Sequence, residues 1–173
     1  ISGANGSTYT AATGGDYTVT GENANGCPGT SNPVSITAHP APNVAITPNG
    51  TNTICTGEDI VLTLTTPGLQ NIQWNLNGSP ISGQTSSTYT ATQAGNYTIT
   101  AESANGCPAT SNTTEVIVSP LPNLQISPAG PINICTGDNT TLTLAPSGLQ
   151  NIVWSRDGNV IGGQTSQTLN VTQ

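Results

Sequence analysis

Four cysteines are the residues best suited to chemistry in this chain, and they recur at a fixed interval. Cys27 is followed 80 positions later by Cys107, and Cys55 is followed 80 positions later by Cys135. Zinc sites usually need ligand pairs at short spacing, such as two cysteines separated by two residues. Here no two cysteines lie closer than the 28 positions (55 − 27) between Cys27 and Cys55. The spacing therefore favours disulfides over zinc.

Two local disulfide pairings are open. One joins Cys55 to Cys107, which are 52 positions apart (107 − 55). The other joins Cys27 to Cys55 and Cys107 to Cys135, with 28 positions between the partners of each pair. Disulfides persist mainly in oxidising compartments. Repeated cysteines in a lysine-free chain rich in Thr and Asn therefore predict an exported protein with disulfides.

The other ionisable side chains predict no catalytic site. His39 is the only histidine and stands beside Pro40; a general base must be positioned by neighbouring groups, and we expect a solvated linker residue instead. Glu58 and Asp59 are adjacent, and calcium is bound by several carboxylate oxygens. A weak calcium site at this pair stays open, although solvated turn acids are the simpler interpretation. We predict no cofactor, no metal and no enzymatic activity.

Charge and hydropathy exclude two further classes of function. Arg156 is the only lysine or arginine in the 173 residues, and the net charge is −7. Nucleic-acid binders carry basic patches, so no nucleic acid is expected as a partner. No stretch approaches the roughly 18 apolar residues of a membrane span, and the first residues lack the pattern of a secretory leader. We expect a soluble segment without membrane insertion.

The elements that must position these residues are β-strands. Apolar and polar residues alternate in the segments 60–64, 97–101 and 140–144, which is the period of a half-buried strand. Asn77-Gly78 and Asp157-Gly158 are typical hairpin turns. No segment has a helical apolar stripe of useful length. The chain is therefore predicted to be all-β.

The whole sequence repeats with the 80-residue period of the cysteines, which indicates an array of like modules. Proline pairs mark the module boundaries, because proline cannot donate to a ladder and stiffens the chain. The linker prolines are Pro40, Pro42, Pro120 and Pro122. The predicted domains are the C-terminal strands of a preceding repeat at 1–39, a complete repeat at 43–119 and the N-terminal strands of a following repeat at 123–173.

Two explanations account for the incomplete outer repeats. The chain is a window from a longer array, which we favour because repeat arrays are commonly long. Alternatively, the late strands of 1–38 and the early strands of 123–173 complete one sandwich between neighbouring chains by strand addition.

The residues of the complete repeat resemble an immunoglobulin-like domain. The pattern runs through Ile54-Cys55-Thr56-Gly57, Trp74, Gly95-Asn96-Tyr97 and Asn105-Gly106-Cys107. In that fold a Trp of strand C fills the core and a Tyr marks the start of strand F. The pattern is most similar to the Ig-like repeats of large secreted surface proteins of the Bacteroidetes, including gliding-motility adhesins.

The resemblance implies tandem Greek-key β-sandwiches with a defined core and a disulfide within each module. The pair in the complete repeat is Cys55–Cys107, and Cys27 and Cys135 pair outside this segment. The implied core residues are Ile60, Leu62, Leu64, Trp74, Tyr97 and Ile99.

The resemblance also implies a structural role. We expect a segment of an extracellular stalk or filament at a bacterial cell surface, serving adhesion. Its expected partners are neighbouring repeats, copies of itself in a fibre and a surface glycan. The alternatives are an adhesin module that itself binds a glycan or protein, and a spacer within a large exported enzyme.

Overall fold

A computed structural model describes residues 3–172, and every regular element within that range is a β-strand. The chain forms two compact units that divide between Val118 and Ser119. This boundary adjoins the joint at Pro120 and Pro122. Residues 3–38 belong to the first unit together with the central repeat.

Residues 3–38 form two antiparallel pairs of short strands. Their strands are β1 (Gly15–Tyr17), β2 (Thr20–Glu22), β3 (Pro28–Thr30) and β4 (Val34–Ile36). β1 pairs with β4 and β2 pairs with β3, both antiparallel. Apart from the half-buried Tyr17, every residue of these four strands is exposed.

The central repeat is a sandwich of two sheets. Its strands are β5 (Ile46–Thr47), β6 (Gly50–Cys55), β7 (Ile60–Leu64), β8 (Gln70–Leu76), β9 (Ser79–Pro80), β10 (Thr88–Ala91), β11 (Gly95–Glu102), β12 (Pro108–Thr110) and β13 (Thr114–Ser119). One sheet has the order β10-β7-β5, and the other has the order β6-β13-β11-β8-β9, with β12 paired to β11. Strands E, B and A thus face strands G, F and C, which is the arrangement of an immunoglobulin-like fold.

The core of this sandwich lies between the two sheets. Trp74 of β8 stands opposite Ile99 of β11, and neither side chain is exposed. Leu62 and Tyr97 are also fully buried, as the alternation of their strands predicts. Ile60 and Leu64, which the sequence also places in the core, are half-buried and pack against its margin.

The second unit has the early strands of the same fold. They are β14 (Gln125–Ser127), β15 (Asn139–Ala145), β16 (Ser155–Arg156), β17 (Asn159–Val160) and β18 (Thr168–Thr172). β14-β15-β18 form one sheet and β16-β17 a hairpin. Ile152, Trp154 and Leu169 form a small buried cluster. This unit and residues 3–38 therefore each contain strands that are equivalent to part of the central sandwich.

Candidate functional site

Three aromatic rings run through the centre of the complete sandwich. The ring centroid of Tyr89 lies 5.7 Å from that of Trp74 and 5.6 Å from that of Tyr97. Trp74 has no exposed surface, and its Nε1–H donates to Ser86 O at 2.9 Å. Tyr89 is half-buried between the other two rings. The geometry assigns Trp74 to packing and leaves none of its ring available for stacking against a sugar.

Tyr97 closes the sandwich with a hydrogen bond to the backbone. Its hydroxyl donates to Gln93 O at 2.9 Å, the tyrosine corner of immunoglobulin-like folds. Burial raises the pKa of the Tyr97 phenol above its usual value of 10.0; the charge of Tyr89 adds to this increase, and the bond to Gln93 opposes it. The same bond recurs 80 positions earlier, where the Tyr17 hydroxyl donates to Thr13 O at 2.8 Å.

The Glu58 carboxylate, a candidate calcium ligand, is occupied by a backbone donor. The Cys55 N–H donates to Glu58 Oε2 at 2.9 Å, and the Glu58 N–H donates to Cys55 O at 3.0 Å. The side chain thus caps the turn between β6 and β7, while Asp59 is exposed. Within residues 3–172, no group of three or more His, Cys, Asp and Glu side chains is arranged to hold a metal ion.

The first proline joint lies against the turn between β11 and β12. His39 is exposed, with Nδ1 3.2 Å from Asn105 Nδ2, and the Cys107 thiol lies 3.6 Å from His39 O. Pro40 is exposed and Pro42 is half-buried, and neither belongs to a strand. At the second joint Pro120 and Pro122 are exposed and also outside strands. The His39 contact was not visible in the sequence, because it joins residues 68 positions apart.

All four cysteines are free thiols in this structure. Cys27, Cys55 and Cys135 are exposed, and Cys107 is half-buried. The pairing Cys55–Cys107 expected within the complete module is therefore not formed here.

Strand register explains why these two thiols do not meet. Thr51 Oγ1 donates to Glu115 Oε2 at 2.7 Å, so β6 begins beside the beginning of β13 and ends, at Cys55, near the end of β13. Val116 of β13 stands opposite Gly95, the first residue of β11. Cys107 follows the opposite end of β11, which is eight residues or roughly 23 Å long. Disulfide formation needs Cα atoms within about 7 Å.

Asn112 holds the first strand of the module in place. Its Nδ2 donates to Ile46 O at 3.1 Å, and the Ile46 N–H donates to Asn112 Oδ1 at 2.9 Å. One side chain thus supplies both hydrogen bonds that a neighbouring strand would make to Ile46. The only sequence signal for this role is the recurrence of the residue as Asn32, 80 positions earlier.

In the part of the chain from residue 3 to residue 172, no helix has the length and apolar character needed to cross a membrane.

Several solved structures that resemble this chain are tandem domains. The N-terminal eight Ig domains of Down syndrome cell adhesion molecule match with 20% identity and a TM-score of 0.40, over 87% of this chain and 23% of that one. Extracellular domains 3–5 of Drosophila OTK match with 18% identity and a TM-score of 0.43, over 92% and 61% of the two chains. An I-band fragment of titin matches with 16% identity and a TM-score of 0.43, over 73% and 50%.

This chain thus spans less than two thirds of each of these three structures. No protein-family model and no curated protein matches it. Likenesses at these identities concern the fold alone, and the strand order of the central sandwich establishes that fold independently.

Proposed function

We propose that this chain is a structural segment of an extracellular stalk or filament built from tandem Ig-like repeats, which serves adhesion at a bacterial cell surface. In such an array each module meets only its neighbours, so the length grows with the number of copies. The job of the individual module is to fold stably and to transmit force along the string.

The observation that carries this proposal is that the central module closes a core of its own. Trp74, Tyr97, Leu62 and Ile99 have no exposed surface. In residues 3–172, every buried polar side-chain atom has a hydrogen-bond partner. A module with a complete apolar centre and satisfied polar groups can resist extension as a separate unit.

The proposed surface location is supported by the sequence and not by the buried core. The resemblance to repeats of secreted surface proteins and the lysine-free, threonine-rich composition favour an exported protein. Antibody labelling of intact cells tests the location. Labelling that appears only after permeabilisation would contradict it.

Single-molecule pulling tests the mechanical role. Stretching the 173-residue chain should give one distinct force peak from the central module, followed by an increase in contour length of roughly 25 nm for residues 43–119 at ~3.3–3.6 Å per residue. The Trp74→Ala variant should lower or abolish the peak, because removing a buried Trp costs about 3–5 kcal/mol. An extension curve without a peak in the unaltered chain contradicts the proposal.

A further inference from the structure

The strand β10 leaves one edge of the complete sandwich open. It is the outermost strand of the sheet β10-β7-β5, where its neighbour is β7. The Leu64 N–H donates to Ser87 O at 2.8 Å just before β10 begins, so the alternation of an antiparallel ladder directs the backbone groups of Tyr89 toward β7 as well. The N–H and C=O groups of Thr88 and Thr90 therefore point away from the sheet. Both residues are exposed, and no partner within residues 3–172 bonds these groups.

The other outermost strands of this sandwich are protected against a further strand. At β5, Asn112 bonds both backbone groups of Ile46. At the end of β6, the Cys55 N–H donates to Glu58 Oε2 and Cys55 O accepts from the Glu58 N–H. β9 has two residues and ends in Pro80, which lacks an N–H. Short length and proline are common devices against pairing at an edge, and the two capping side chains act in the same sense. β10 has neither a proline nor a cap.

The sequence around β10 also lacks charge. Residues 81–94 contain no Asp, Glu, Lys, Arg or His, although the whole chain has a net charge of −7. Charged side chains on an edge strand are a further device that prevents pairing. Two copies can therefore approach each other along this segment without direct repulsion between like charges.

We infer that β10 of one copy pairs with β10 of a second copy, antiparallel and in the register centred on Tyr89. Thr88 of each strand then stands opposite Thr90 of the other, and each such pair exchanges both N–H···O bonds. The side chains of these threonines form cross-strand pairs on the outer face. The ring of Tyr89 already lies against Trp74 and Tyr97 inside its own module, so the core of neither copy has to change.

The predicted contact uses the same edge in both copies and closes at two chains. β10 has four residues, whereas stable specific interfaces involve roughly 20–30 residues a side. One such pair is therefore weak. Where two stalks lie side by side, successive modules add further pairs, and many weak contacts give a stable lateral association. The inference rests on the structural role proposed above and adds the surface through which two stalks join.

Hydrogen exchange of single amides, measured by nuclear magnetic resonance on the 173-residue chain, tests this pairing. The series of protein concentrations should extend to about 1 mM, since weak association is expected. Exchange of the Thr88 and Thr90 amides should slow as the concentration rises, by about twofold where half of the chains are paired. The Tyr89 amide is the internal control, because β7 already bonds it, and its exchange should change little.

A proline at position 90 removes one interchain donor from each copy. The Thr90 N–H points away from β7, so Thr90→Pro is compatible with the ladder inside the module. The concentration that half-protects the Thr88 amide should rise at least about tenfold, because two interchain hydrogen bonds are lost. Thr90→Val is the matched control; it keeps the N–H and should associate like the unaltered chain.

Two results would overturn the inference. One is exchange of the Thr88 and Thr90 amides at a single rate over the whole concentration series. The other is a folded Thr90→Pro chain that associates as tightly as Thr90→Val. Circular dichroism establishes whether Thr90→Pro folds, and if it does not, exchange in the unaltered chain decides alone. Pulling on single chains measures the mechanical role without a second copy, so either proposal can fail while the other stands.

Discussion

Asn112 and Ile46, 66 positions apart, exchange two hydrogen bonds in which the amide side chain takes the place of a strand. Asn112→Ala should therefore lower the free energy of unfolding of the central module by about 1–2 kcal/mol, the net worth of one to two hydrogen bonds. Urea denaturation of the 173-residue chain measures the change. Asn32→Ala is the matched control and should leave the stability of the central module unchanged. An equal loss in both variants would contradict a specific role for Asn112.

The glycine at the start of β11 should tolerate no side chain. Gly95 has a φ of +148°, and a Cβ there would lie 2.5 Å from Leu76 Cδ1 and 2.9 Å from Asn77 Oδ1. We expect Gly95→Ala to destabilise the central module by about 1–3 kcal/mol, as overpacking does. Thermal unfolding followed by circular dichroism reports the change.

The equivalent glycine provides the comparison. Gly15 has nearly the same φ, +147°, but its Cβ position is open. Gly15→Ala should leave the central module's transition in place, because the added Cβ would meet no atom within 4 Å. A loss of stability in Gly15→Ala as large as that in Gly95→Ala would contradict the role of the contact with Leu76.

Stability should fall in alkaline solution through Tyr97. Burial raises the pKa of this phenol in the folded state above 10.0, its unfolded value. The folded state therefore retains the proton longer than the unfolded state does, and the stabilisation is present below pH 10 and lost as the pH rises through the folded pKa. Denaturant midpoints measured from pH 8 upward should show this fall. In Tyr97→Phe the fall should be smaller, and an unchanged slope would contradict the assignment to Tyr97.

A count of free thiols distinguishes the disulfide that the family resemblance implies from the separation of the two cysteines that the strand register shows. The family resemblance implies a Cys55–Cys107 bridge, whereas the strand register places these residues at opposite ends of β11. If the register holds in solution, intact-mass measurement of the alkylated, unreduced chain should count four free thiols in the monomer. A bridge mapped between Cys55 and Cys107 would show that the segment before β7 lies differently from its position here.

The alternation of polar and apolar residues predicted which strand residues point into the core. Trp74, Tyr97 and Ile99 could be placed in the core because neighbouring residues alternate between polar and apolar, and the 80-residue period fixed where each equivalent residue lies. Ile60 and Leu64 follow the same alternation but stand at the two ends of β7, where the facing sheet covers them less completely. Periodicity identifies the inward face of a strand and does not show how far the opposite sheet extends.

Contacts between residues far apart in the sequence could not be predicted from this alternation. The bonds between Asn112 and Ile46 depend on which strands become neighbours in space. The contact of Cys107 with the backbone of His39 likewise follows from the position of the first joint at the end of the sandwich where β11 terminates. Apart from its recurrence as Asn32, Asn112 has no sequence environment that distinguishes it from the many other polar residues of the chain.

The recurrence of single hydrogen bonds at the repeat interval has a genetic consequence. The hydroxyls of Tyr17 and Tyr97 each donate to the backbone oxygen of the residue four positions earlier. Trp74 and Trp154 donate in the same way to Ser86 O and Ser166 O. The same pair of atoms is thus bonded in each of two successive repeats. Unequal recombination between two such repeats at matching codons would keep the sequence separation between each of these donors and its acceptor. A gain or loss of one whole repeat length therefore leaves the spacing between these donors and acceptors unchanged.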